Sequence, residues 1–179
     1  MSNALLQEAI ICLAIQDVYI RGHNLTIAPD YDPKFNPGGT LGVQLRAHVQ
    51  SGQIITLLNN EAQKETSTRL LRVHVDTGLR LVSGADANQS PETGDTALPN
   101  TVRAELTAQF VAEYLITCPD LSDEARNVFV ERNAAFHVWP YWRELIESVC
   151  ARARLPLVIL PMFAQGVLNK SGQTESQKA

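Results

Sequence analysis

The sequence predicts an α+β fold: a four-stranded antiparallel sheet with helices packed on one face. Three observations carry this. Period-two alternation recurs over 40–50, 71–81 and 102–116, the pattern of half-buried strands. Its cleanness favours antiparallel pairing, because parallel strands covered on both sides read as continuous apolar runs. Helical signals fall at the two ends of the chain, before and after the strands.

In chain order, Ser2 to about Cys12 predicts a short amphipathic helix, and Ile15 to Ile27 a first strand interrupted at Gly22. In the second strand Leu41, Val43, Leu45, Ala47 and Val49 form the apolar side, against Gln44, Arg46, His48 and Gln50. The third places Leu71, Val73, Val75, Thr77, Leu79 and Leu81 opposite Arg72, His74, Asp76 and Arg80. The fourth sets Val102, Ala104, Leu106, Ala108, Phe110, Ala112, Tyr114 and Ile116 opposite Arg103, Glu105, Thr107, Gln109 and Glu113. Ser122 suits a helix N-cap, with Asp123 and Glu124 in the first turn, where the helix dipole favours acids. Pro140 reads as the start of a further helix, with Trp142, Leu145, Ile146, Val149, Cys150 and Ala153 on its apolar face and Pro156 ending it. Leu155 to Ala164, broken by Pro156 and Pro161, reads as an extended packed segment. The polar stretches 59–68 and 83–100 read as loops. We expect one domain over 1–168 and a disordered polar tail over 169–179.

Composition narrows the function. The chain has 179 residues, 45% hydrophobic and 19% charged, with a net charge of −4. No basic stripe marks a nucleic-acid binder. The longest apolar run, Ala9 to Ile15, is seven residues, against the ~20 that a membrane helix needs. Glu8 before that run, and the absence of Lys or Arg before Arg21, oppose a signal peptide. Cys12, Cys118 and Cys150 are odd in number and lack metal-type spacing, which opposes a disulfide framework and suits the reducing cytoplasm. His74 and Asp76 share a strand face, but no third ligand or nucleophile lies near them in sequence. Gly38-Gly39 after Pro37 is a turn signal rather than a phosphate loop. No cofactor, metal site or catalytic residue is expected.

The aromatic distribution is more informative. Of eleven aromatic residues, Phe129, Phe136, Trp139, Tyr141 and Trp142 fall within fourteen positions. So small a chain is expected to need an oligomer interface or an apolar groove for so many rings.

At these residues a resemblance emerges. Phe-His-Val-Trp-Pro-Tyr-Trp-Arg-Glu-Leu-Ile (136–146), then Arg-Ala-Arg-Leu-Pro-Leu-Val-Ile-Leu-Pro-Met (152–162), resembles the SecB family of export chaperones. That family has an aromatic-Pro-Tyr-x-Arg-Glu helix start and a later Leu-rich segment. Ile15-Gln16-Asp17-Val18-Tyr19 with Ala28-Pro29 looks like its first strand and exit, and Leu71-Arg72-Val73-His74-Val75 like its third strand. The likeness runs from about Ile15 to Leu168. The chain departs from the family in two places. Only Phe163 to Leu168 stands where the family's long second helix would be. Gly22, His23, Asn24 and Thr26 replace the acidic residues that dock the export motor ATPase, which argues against that partner and towards the divergent, toxin–antitoxin-associated branch.

The resemblance implies an ATP-independent, cytoplasmic holdase that binds unfolded or precursor polypeptides and assembles as a homotetramer, a dimer of dimers. It implies a client groove at Tyr31, Phe35, Val43, Leu45, Leu157, Ile159 and Phe163. The aromatic load and the family together assign an oligomer interface to Trp139, Tyr141, Trp142, Ile146 and Val149. The alternative from another class is an oligomeric α+β protein that binds a small apolar ligand or lipid.

Overall fold

A computed structural model describes residues 2–36, 39–59, 66–83 and 102–160. Its elements are α1 (Ser2–Cys12), β1 (Leu13–Ile27), β2 (Leu41–Val49), β3 (Gln53–Asn59), β4 (Thr66–Ser83), β5 (Val102–Ile116) and α2 (Asp123–Ala153). The strands form an antiparallel sheet in the order β1-β5-β4-β2, with β3 also paired to β4. Two helices pack on it. The expected tail and Phe163 lie outside the described residues.

Alternation in the sequence becomes burial in the sheet. Along β4, Leu71, Val73, Val75, Thr77, Leu79 and Leu81 are buried, and along β5 Ala104, Leu106, Ala108, Phe110, Ala112 and Tyr114. The Thr77 hydroxyl stays inside by donating to the Ala108 carbonyl at 3.2 Å, as a buried polar group must. The other face carries cross-strand polar pairs. Arg72 meets Glu113 at 2.6 Å, and Arg80 meets Glu105 at 2.8 Å. Such pairs hold register more than they add stability. Gly22 does not interrupt β1, which runs unbroken to Ile27.

Three sequence expectations need correction. First, β3 is a strand the alternation did not reveal. It pairs antiparallel with the first part of β4, from Gln53↔Arg72 to Asn59↔Thr66. Gly52 just before it admits a close approach: a Cβ there would lie 2.7 Å from Leu71 Cδ1 and 3.1 Å from Val130 Cγ2.

Second, Pro140 does not start a helix but lies inside the 31-residue α2. The buried stripe Ala125, Phe129, Val130, Ala134, Ala135, Val138, Trp139, Trp142, Ile146 and Cys150 passes through that position without a break. Pro140 itself is exposed, so the carbonyl its missing N–H frees is on the side where water can reach it. Ser122 caps α2 as expected, its Oγ accepting from the Ala125 N–H at 3.2 Å. The helix ends in a Schellman arrangement. Arg154 takes φ 60°, its N–H reaches Ala151 O at 3.4 Å, and Leu155 N–H reaches Cys150 O at 3.0 Å.

Third, Cys12 and Cys118 form a disulfide across 106 residues. Odd cysteine number and wide spacing argued against one, but the antiparallel pairing of β1 with β5 brings the end of α1 to the exit of β5. Thr117 N–H donates there to Cys12 O at 2.9 Å. Cys150 is the free, buried cysteine.

The described residues divide into two compact units: 2–21, 48–59, 66–76 and 109–138 in one, and 22–36, 39–47, 77–83, 102–108 and 139–160 in the other. In the first, α1 is held by the disulfide and by Glu8, whose carboxylate accepts from the Ser122 N–H at 3.1 Å and its hydroxyl at 2.9 Å. In the second, Ala28 N–H donates to Arg103 O at 2.9 Å where β1 ends.

Candidate functional site

The connection after β1 is built to present one ring and bury another. Tyr31 N–H donates to Ala28 O at 3.0 Å, turning the chain back after Pro29. Asp32 then organises the next turn: its Oδ1 accepts from Lys34 N–H at 2.9 Å and Phe35 N–H at 3.0 Å, and its carbonyl from Asn36 N–H at 2.9 Å. An aspartate that binds the backbone two and three residues on is a local device needing no tertiary support. Arg103 steadies the base of the loop, donating to Asp30 at 2.8 Å and to Ser83 Oγ at 3.0 Å. The outcome differs for the two aromatics: Tyr31 is 7% exposed and Phe35 is 79% exposed. Burial raises the Tyr31 phenol above its ordinary range, with Arg103 opposing the shift. Its hydroxyl makes no hydrogen bond among the described residues.

The C-terminal segment after α2 alternates. Leu155, Val158 and Leu160 are buried, whereas Leu157 is 67% and Ile159 is 79% exposed. Val43 on β2 is exposed and Leu45 half-buried. Phe35, Val43, Leu157 and Ile159 therefore all present apolar surface, and all belong to the same compact unit. Tyr31 belongs to that unit too, as a packed residue.

The residues assigned to an interface divide in the same way. Trp139, Trp142 and Ile146 are buried within a single chain, Val149 is half-buried, and Tyr141 is exposed. A single chain thus encloses three of the five clustered rings and leaves two at its surface. One continuous stripe on α2 buries both tryptophans, together with Phe129, and leaves Phe136 and Tyr141 outside. Sequence reasoning missed a second set of exposed apolar residues, Ile10, Ile11 and Ile15 on α1 and β1 and Ile54, Leu57 and Leu58 on β3. The run from Ala9 to Ile15 was the available signal, since it is too uniformly apolar to be buried on one side only.

Polar chemistry in the chain is taken up by structure. Asp76, which shares a strand face with His74, accepts from Gln50 at 2.7 Å and Gln109 at 3.1 Å. No group of three or more His, Cys, Asp or Glu among the described residues is placed to hold a metal. Burial raises the Cys150 thiol, which disfavours the thiolate. His137 shares a 3.0 Å hydrogen bond between its Nδ1 and the Tyr114 hydroxyl, and burial lowers its pKa while raising that of Tyr114. An unfolded histidine titrates at about 6.5, so below that value the unfolded state takes up a proton that the folded state resists. Stability is therefore expected to fall as pH drops through ~6.5 towards the lowered folded value, with no contribution from this group above it. Denaturant midpoints between pH 7.5 and 5.5 check this; His137→Gln should flatten the slope, and an unchanged slope would refute the assignment.

No family model matches the sequence, and no curated protein matches it. Among solved structures, the chain is similar to the SecB-like chaperone Rv1957 of Mycobacterium tuberculosis, solved in complex with a ChAD peptide from the Rv1956 HigA1 antitoxin. The TM-score is 0.58 at 13% identity, covering 90% of this chain and 97% of the other. The fold is SecB-like. No described helix is long and apolar enough to cross a membrane.

Proposed function

We propose that this chain is an ATP-independent holdase that binds non-native polypeptide along apolar surface centred on Phe35, Val43, Leu45, Leu157 and Ile159. The observation that carries the reading is the SecB-like fold shared with a peptide-bound chaperone, together with exposed apolar side chains at four of the positions the family resemblance assigned, Phe35, Val43, Leu157 and Ile159. Full burial of each such side chain is worth roughly 1.5–3 kcal/mol. Several of them engaged by one extended client add through effective concentration, without sequence specificity. In this reading Tyr31 pins the loop rather than touching the client, and a homotetramer presents several such surfaces. A dedicated client, such as an antitoxin segment, suits the likeness better than the export motor, because Gly22, His23, Asn24 and Thr26 offer no acidic dock.

The test is suppression of aggregation of a chemically unfolded model protein, titrated by subunit ratio. A binder of small apolar ligands gives no protection, and that result would overturn the proposal. Phe35→Ala should leave stability within about 0.5 kcal/mol, as exposed substitutions do, yet weaken affinity for an unfolded client about tenfold. Tyr31→Ala should do the reverse, costing about 3 kcal/mol of stability as a large-to-small core change. Parallel melting and client-binding curves on the two variants separate the roles.

A further inference from the structure

We infer that the outer edge of β3 is a docking surface for the β3 of a second copy of this chain, paired antiparallel about a two-fold axis at Thr56. β4 occupies one edge of β3 in a fixed register. No other strand pairs with β3 among the described residues, so its opposite edge offers free backbone donors and acceptors. Soluble proteins usually blunt such an edge with lysine, proline or inward charge. This strand has none: Gln53-Ile54-Ile55-Thr56-Leu57-Leu58-Asn59 is uncharged and proline-free.

Its apolar surface is exposed on both sides. Ile54 sits opposite the buried Leu71, so Ile54, Thr56 and Leu58 share that side of the sheet, while Ile55 and Leu57 point to the other. Leu58 is 76% exposed and Leu57 50%. A partner strand must therefore be apolar on both sides, and polar at both ends.

The strand itself meets that requirement. Read from either end it runs polar, apolar, apolar, Thr, apolar, apolar, polar. Antiparallel pairing about Thr56 sets Ile54 opposite Leu58 and Ile55 opposite Leu57 in both halves, with Gln53 opposite Asn59. A two-fold interface requires this self-complementarity, since each residue must suit its own mirror position, and apolar cross-strand pairs are its stabilising unit. An arbitrary client strand has no reason to match a palindrome. The pairing does not rest on the holdase reading, because client affinity is measured separately.

Charge substitution tests the register. L58K should halve the particle mass measured by light scattering, and I54E should do the same, with the far-UV spectrum unchanged. The double variant I54E/L58K should restore the mass, because the acid at 54 of one copy then faces the amine at 58 of the other. Within one chain positions 54 and 58 lie about 13 Å apart, too far for the rescue to be internal. A short bis-maleimide reagent should also join two chains through T56C but not through Q53C, whose copies would lie about 20 Å apart across the axis. An unchanged mass for L58K, or no rescue in the double variant, overturns the proposal. Unchanged mass with weakened client binding assigns the edge to an extended client strand instead.

Discussion

Reduction of the Cys12–Cys118 bond is expected to cost about 2–4 kcal/mol of stability. The two sulfurs close a loop of 106 residues. The chain-entropy model gives about 4.7 kcal/mol for a loop near 100 residues, a figure that residual order in the unfolded chain reduces. The effect should be felt first at α1. An eleven-residue helix is too short to persist on its own in water, and without the bond it keeps the packing of the buried Ala9, the Glu8 contacts to Ser122 and the Thr117–Cys12 backbone hydrogen bond. Guanidinium unfolding with and without a phosphine reductant measures the difference, with Cys12→Ser/Cys118→Ser as the matching variant. Thiol counting gives an independent check. The oxidised, denatured chain should alkylate once, at Cys150, and three times after reduction. Three free thiols without reductant, or coincident unfolding curves, would remove the bond from the account. Such a bond persists in oxidising surroundings and is rare where glutathione keeps thiols reduced.

That bond also shows where sequence reasoning stops. What was legible was local. The alternation of β4 and β5, and Ser122 followed by Asp123 and Glu124, are each set by neighbours within a few positions. Cys12 and Cys118 meet only because β1 pairs with β5, a fact that no spacing encodes. β3 escaped for a related reason: an edge strand exposed on both faces has no buried side to impose alternation, so Ile54-Ile55 and Leu57-Leu58 read as no element at all. Pro140 misled in the opposite direction. A proline is a strong local stop, yet tertiary burial of the stripe from Ala125 to Cys150 overrides it. At the candidate site, residue types were visible but exposure was not. Nothing in Tyr31 and Phe35, four positions apart in one proline-rich stretch, says that the Asp32 turn will bury one and present the other.

Trp142→Ala is expected to destabilise the fold by about 3–5 kcal/mol, the range for emptying a large buried aromatic site. Trp142 is the largest of the fully buried side chains, and it lies on the stripe that carries α2 past Pro140. Its neighbour Tyr141 is 48% exposed on the same helix. Both are aromatic, and alanine is the better helix former in either place. The contrast between Tyr141→Ala and Trp142→Ala therefore isolates burial from propensity. Tyr141→Ala should stay within about 1 kcal/mol of wild type. Because loss of a tryptophan alters the fluorescence signal, urea unfolding should be followed by far-UV circular dichroism. For a chain of this size each kcal/mol moves the melting midpoint by about 2–4 °C, so the two variants should be separated by about 10 °C. Equal losses at 141 and 142 would mean that α2 presents a different face from the one described. A large loss of particle mass with Tyr141→Ala, without loss of helix content, would place that exposed ring in contact with another subunit. Trp142, enclosed within its own chain, should change the mass only by unfolding it.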